Sequence, residues 1–120
     1  MTRETKTLKT PAGKEFILNC WLTAREAREL KEITFKHIKF GMENVAGRDG
    51  VTQSPTMKEY DAAATMREKD EATIRLLVIS YDGNVENILE RLLDSPASEW
   101  DSVLSAANEI VLNPTEPKLQ

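Results

Sequence analysis

The hydrophobic pattern of this chain changes its period at Thr23. Before Thr23, the segment KEFILNCWL is strand-like, with Phe16, Leu18 and Cys20 at alternating positions on one face. After Thr23, apolar residues recur every three or four positions, the period of an α-helix. Thr23-Ala24-Arg25-Glu26 is a capping box, in which the Thr23 hydroxyl accepts the Glu26 amide proton and the Glu26 carboxylate reaches back to Thr23. The sequence therefore predicts a strand that leads directly into a capped helix.

Residues 5–22 are predicted to form a β-hairpin. Thr5 to Leu22 is strand-like apart from Thr10-Pro11-Ala12-Gly13, where Pro in the second position and Gly in the fourth suit a type I turn. Phe16, Leu18 and Cys20 share one face of the second strand. Because Ile17 and Trp21 make the other face partly apolar too, this strand is either covered on both sides or uses one side for a partner.

Four helices are expected after the hairpin. Helical periodicity predicts them from Ala24 to about Phe40, from Met57 to Ser80, from about Val85 to Leu93, and from Ser98 to Leu112. Asp82-Gly83 is expected to end the second helix and Asn84 to cap the third, while Ser98 with Asp101 resembles an acidic cap for the fourth. The predicted fold class is α+β, mostly α, with an N-terminal β-hairpin followed by about four helices.

Two segments show no periodicity. Residues 41–56, GMENVAGRDGVTQSPT, hold three glycines and a proline and are predicted to form a long loop. Long loops are either functional or disordered, and this polar composition favours mobility. Residues 113–120 hold two prolines and are expected to be a flexible C-terminal tail. We therefore expect a single domain at 1–112.

Composition excludes several classes of function. The net charge is −4, and four of the basic residues lie within the first 14 positions, so the remainder is acidic and unsuited to nucleic acid. The longest apolar run, Leu76 to Ile79, is far too short to cross a membrane. The start lacks a secretory signal and Cys20 is the single cysteine, which indicates a cytoplasmic protein.

Side chains with catalytic potential are present but lack partners. His37 is the only histidine, and no nucleophile or set of metal ligands accompanies it at a recognisable spacing. Asp82-Gly83-Asn84 lacks the ligand spacing of a calcium loop, and helix termination explains it. We therefore predict no catalytic, cofactor-binding or metal-binding residues. A small enzyme built around His37 or an acidic cluster remains the least favoured alternative.

Three apolar residues lie outside the expected core stripes: Trp21, Phe35 and Met42. Large apolar and aromatic side chains of this kind anchor protein interfaces, so all three are candidate partner-binding residues. The alternative is that they pack within the chain, and the sequence does not separate the two.

The chain resembles the tail assembly chaperones of long-tailed bacteriophages over about residues 5–112. The resemblance is carried by Trp21-Leu22-Thr23-Ala24-Arg25-Glu26 with Arg28, Glu29 and Leu30, then Asp82-Gly83, Ile88, Leu92-Leu93-Asp94 and Trp100-Asp101. It implies a non-enzymatic protein that binds the tape measure protein, keeps its hydrophobic helices soluble and aids assembly of the tail tube.

The resemblance also implies partners and a location. The tape measure protein is the expected partner, the major tail tube protein and a second copy of the chain are further candidates, and no cofactor is implied. The protein is expected in the host cell cytoplasm and not in the mature virion. The alternative is a structural tail-completion or connector protein that is retained in the virion.

Overall fold

The computed structural model describes residues 3–47 and 50–113. Within these ranges, the secondary-structure elements are β1 (Thr5–Lys9), β2 (Glu15–Asn19), α1 (Ala24–Lys36), β3 (Ile38–Gly47), β4 (Gly50–Tyr60), α2 (Ala62–Leu77), β5 (Val78–Tyr81), α3 (Ile88–Leu93) and α4 (Ala97–Leu112). The fold is α+β and mostly α. The predicted N-terminal hairpin and four helices are both confirmed.

The N-terminal hairpin belongs to a three-stranded antiparallel sheet with the order β1-β2-β5. Its turn is closed by the Gly13 amide, which donates to the Thr10 carbonyl oxygen at 2.8 Å. Gly13 has a φ of +81°, a conformation that glycine adopts at little cost. In the central strand, Phe16 and Leu18 are fully buried, as their shared face predicts.

One hydrophobic core joins this sheet to three of the helices. Leu18 of β2 and Tyr81 of β5 are buried together with Ile74 of α2, Leu92 of α3 and Val103 of α4. The core holds these elements in fixed relative positions, because closely packed interiors tolerate little displacement. Helix α1 contributes one buried residue, Leu30, and lies against α2.

The capping box that begins α1 is confirmed. Glu26 N–H donates to the Thr23 hydroxyl at 3.2 Å, and Thr23 N–H donates to the Glu26 carboxylate at 2.9 Å. Arg3 adds an ion pair to the same carboxylate at 2.8 Å. The helix ends at Lys36 and not near Phe40, because the chain leaves the helical conformation at its C-cap, His37, and enters β3.

The predicted loop at 41–56 is wrong. Most of it lies in β3 and β4, which pair antiparallel from Ile38 opposite Tyr60 to Gly47 opposite Gly50 and form a separate two-stranded sheet. Backbone hydrogen bonds between adjacent segments can form such a ladder without apolar alternation. The radius of gyration is 19.4 Å, against about 14 Å for a compact chain of this length.

The predicted helix from Met57 to Ser80 is wrong at both ends. Helix α2 begins after Asp61, whose carboxylate accepts the Ala64 amide proton at 3.0 Å, and the apolar end of the predicted helix forms β5. A short apolar run is compatible with either a buried helix or a buried strand. Residues 78–81 form a strand because the free edge of β2 offers hydrogen-bond partners for their backbone groups.

Asp82-Gly83-Asn84 does not separate two helices. Asp82 and Gly83 both have positive φ, and Tyr81 and Asn84 exchange backbone hydrogen bonds of 2.9 Å, so these residues form a two-residue turn after β5. Helix α3 therefore begins at Ile88 and not near Val85, and Asn84 is not its cap.

The cap predicted at Ser98 is also wrong. Helix α4 begins at Ala97 after Pro96, and its start has no side-chain cap. The predicted C-terminal tail lies, apart from Asn113, outside the described residues.

Candidate partner-binding groove

A groove of about 920 Å³ lies between α1, α2 and α4. It is lined by Leu22, Ala27, Leu30, Lys31, Thr34, Phe35, Met66, Lys69, Asp70, Thr73, Asn108, Val111 and Leu112. Three of its large apolar side chains are mostly exposed: Phe35 by 65%, Met66 by 64% and Leu112 by 77%. Each of the three helices contributes one of them, so every side of the groove carries an exposed apolar side chain.

Helical spacing explains why these residues line the groove. Along α1, Ala27, Leu30, Lys31 and Thr34 follow an i, i+3, i+4, i+7 pattern, and Met66, Lys69, Asp70 and Thr73 repeat this pattern along α2. Residues with this spacing share one helix face. Leu30 and Thr73 are buried and form the floor, while residues further from the contact between the helices form the rim.

Ion pairs on the opposite side hold α1 against α2. Glu29 near the start of α1 pairs with Arg75 near the end of α2, and Lys36 at the end of α1 lies 3.2 Å from Glu68 in the first half of α2. The two helices therefore run antiparallel. Exposed pairs of this kind contribute up to about 1 kcal/mol each, so they orient the groove more than they stabilise the fold.

The charges in the groove are mixed but net positive. Lys31 and Lys69 are its two cations and Asp70 is its single anion. Partial burial raises the pKa of the Asp70 carboxyl, and the neighbouring Lys69 opposes this change. Asp70 is therefore already half-buried before any partner covers the groove.

Of the candidate partner-binding residues, the structure places Phe35 in the groove and Trp21 outside it. Phe35 lies on the rim of the groove. Trp21 does not line it: its ring is half-buried, with the Arg3 guanidinium 5.2 Å from the ring centroid and its indole Nε1 buried without a hydrogen-bond partner. Met42 lies in β3 opposite Pro55, and its side chain is outside the described residues.

Sequence reasoning missed two of the three exposed groove residues. Met66 is an isolated apolar residue in the charged first half of α2, which is a signal that could have identified it. Leu112 continues the apolar face of α4 to its last residue. Neither residue can be assigned to the same surface as Phe35 until the packing of the three helices is known.

His37 has an acidic neighbour on α2. Its Nε2 lies 3.1 Å from a Glu68 carboxylate oxygen, although the alignment is not that of a hydrogen bond. Contacts with His37 first, and with Lys36 second, lower the pKa of Glu68. Across the described residues, no three His, Cys, Asp or Glu side chains are grouped so as to hold a metal ion.

Glu99 is the most buried acidic side chain among the described residues. Its carboxylate accepts a hydrogen bond of 2.7 Å from the Thr10 hydroxyl, and longer bonds of 3.4 Å from the Ala12 amide and the Tyr81 hydroxyl. These bonds fasten the turn of the N-terminal hairpin to the first turn of α4. Their role is structural, because the donors lie in the hairpin turn and in β5 and join these elements to α4.

The comparisons with known proteins give no neighbour. No family model, curated protein or solved structure matches this chain. In the part of the chain that the structure describes, none of the helices has the length and apolar character needed to cross a bilayer.

Proposed function

We propose that this protein is a phage or prophage tail assembly chaperone that binds the tape measure protein and aids assembly of the tail tube. The observation that carries the proposal is the groove with its three exposed apolar side chains. Together with the resemblance in sequence, it supports a protein that acts in the host cytoplasm by binding another chain, without catalysis, and leaves before the virion is complete.

The shape and composition of the groove suit a helical partner. Large contiguous apolar surfaces on a small protein mark interaction sites, and an amphipathic helix places side chains at i, i+3, i+4 and i+7 into such a groove. Met66 supplies an unbranched, adaptable side chain, which suits contact with a series of different helical segments. A long protein with many apolar helices offers such segments repeatedly.

The expected affinity is moderate. Burying one exposed large apolar side chain contributes about 1.5–3 kcal/mol, so Phe35, Met66 and Leu112 together contribute roughly 3–6 kcal/mol after allowing for their present partial burial. Contacts of the partner's own side chains add to this sum, while loss of rotational and side-chain freedom subtracts from it. Binding near the micromolar range, about −8 kcal/mol, would allow a chaperone to release its client.

Co-expression with a tape measure protein from the same phage or prophage tests the proposal. The chain should raise the soluble fraction of that protein and co-purify with it. The double variant Phe35→Ala/Met66→Ala should lose both effects while keeping its helical circular-dichroism signal. Val85→Ala is a matched control, because Val85 is 72% exposed and lies outside the groove. A soluble chain that neither retains nor solubilises the tape measure protein would refute the proposal.

The second candidate is a structural tail-completion or connector protein. It is favoured by the β3–β4 sheet, which among the described residues has only two strands and therefore a free edge on each. Free strand edges can pair with neighbouring subunits in an assembly. Mass spectrometry of purified virions separates the candidates, because a connector is retained in the particle and a chaperone is absent from it.

A further inference from the structure

We propose that the groove between α1, α2 and α4 selects an amphipathic helix whose apolar stripe is flanked by acidic side chains. This inference specifies the client of the proposed chaperone and rests on that function only in assigning the helix to a tape measure protein. It is carried by the positions of two lysines relative to the exposed apolar side chains.

Each of two groove walls combines an apolar anchor with a lysine about one helical turn away. On α1, Lys31 precedes Phe35 by four residues, and on α2, Lys69 follows Met66 by three. Residues at these spacings lie on the same helix face. A helix whose apolar stripe contacts Phe35 and Met66 therefore carries its flanking residues toward a lysine on either side.

The groove differs in charge from the rest of the molecule. The whole chain has 16 basic and 20 acidic residues, whereas the groove has two cations and one anion. An acidic flank gains contact with Lys31 and Lys69, whereas a basic flank meets these two like charges and only one opposite charge, Asp70. Charges around an apolar contact discriminate between partners and set the salt dependence of binding.

A second copy of this chain is a poor occupant. A symmetric dimer formed through the groove would place the same surface on both sides of the contact. Four lysines, Lys31 and Lys69 of each copy, would then lie at one interface with only the two Asp70 side chains to offset their charge. The net charge of −4 on each chain adds a further long-range repulsion between copies.

Two synthetic helical peptides test the inference. Both carry the same leucine stripe at i, i+4, i+7 and i+11, flanked by glutamates in one peptide and by lysines in the other. Fluorescence anisotropy at low salt should show about tenfold tighter binding of the glutamate peptide to the intact protein. The preference should shrink as salt is added.

Variants of the groove locate the preference. Lys31→Glu/Lys69→Glu should reverse the order of the two affinities, so that the lysine peptide binds more tightly. If the double variant folds poorly, Lys31→Glu alone serves instead, and it should reduce the preference for the glutamate peptide. Phe35→Ala should weaken both peptides by a similar factor of about ten, because it removes apolar contact and no charge. Val85→Ala should bind both peptides as the unmodified chain does.

Several outcomes would overturn the inference. They are equal binding of the two peptides, a preference unchanged in both lysine variants, or failure of both peptides to bind. A dimer that dissociates in Phe35→Ala would assign the groove to a second copy, and a large gain in peptide affinity on removing residues 114–120 would assign it to the end of the chain.

The inference and the proposed function can fail separately. Tape measure binding that survives Phe35→Ala/Met66→Ala rejects the groove as the binding site and leaves the chaperone function standing. Peptide selectivity without tape measure binding rejects that function alone.

Discussion

Replacing Thr10 with Val should destabilise the protein by about 2–3 kcal/mol. Thr10 and Glu99 are 5% and 2% exposed, and the bond between them is the shortest that the Glu99 carboxylate accepts. Valine keeps the shape of threonine but removes the donor. A hydrogen bond to a carboxylate contributes about 1.5–3 kcal/mol when its loss leaves the acceptor buried.

A second hydrogen bond of the Thr10 hydroxyl adds a smaller amount to this loss of stability. The Thr10 hydroxyl also accepts the Lys14 amide proton at 3.1 Å, but this contact is only partly buried and water can replace it. By the same reasoning, Tyr81→Phe should cost less than Thr10→Val, about 0.5–1 kcal/mol, because its bond to Glu99 is 3.4 Å long.

Urea unfolding followed by circular dichroism measures these differences. With a slope of about 2 kcal/mol per molar urea for a domain of this size, Thr10→Val should lower the midpoint by roughly 1 M. Thr7→Val is the control, because Thr7 lies on the exposed strand β1 and its change should stay within about 0.5 kcal/mol. A Thr10→Val midpoint within the range of this control, or a larger loss in Tyr81→Phe, would contradict the assigned role of Glu99.

Three further predictions concern the helices. Thr23→Ala should lower the free energy of unfolding by about 1 kcal/mol through loss of the cap, and Thr23→Ser in the same urea titration should recover most of it. The pKa of Glu68 lies below its ordinary value of 4.5, chiefly through its contact with His37, so this contact stabilises the fold above pH 4.5 and the stabilisation is lost as the pH falls through the lowered pKa. Glu68→Gln should remove this part of the loss of stability in acid, and an unchanged dependence of stability on pH would contradict the assignment. Burial raises the pKa of Asp70 above its ordinary value of 3.8, so ionisation of this carboxyl lowers the stability of the fold as the pH rises through the raised pKa. Asp70→Asn should therefore slightly raise the midpoint of thermal unfolding at pH 7, and a lower midpoint would contradict this reasoning.

Local interactions explain the parts of the fold that could be predicted. The Thr23 capping box involves residues three apart, and the turn at Gly13 needs a glycine that adopts positive φ. The alternation that buries Phe16 and Leu18 is likewise a property of neighbouring residues. Each of these features depends on chemistry within a few positions, so reading the chain in short windows is sufficient to find it.

The elements that were wrongly predicted depend on pairing between distant segments or on backbone bonds that leave no side-chain pattern. Residues 78–81 continue an apolar helical pattern, but β2, some 60 residues earlier, offers them a strand edge. In β3 and β4, the ladder is made by backbone groups that every non-proline residue carries, so a polar, glycine-containing segment adopts it without apolar alternation.

The groove likewise has features that the sequence predicts and features that only the tertiary structure decides. An apolar residue such as Phe35, set beside a buried stripe, can be recognised as surplus to the core from the helical period alone. Its grouping with Met66 and Leu112, which lie 31 and 77 positions further along the chain, follows from the packing of α1, α2 and α4. The helical period decides which way a side chain points around its own axis, whereas only close packing between helices decides which side chains from different helices face one another.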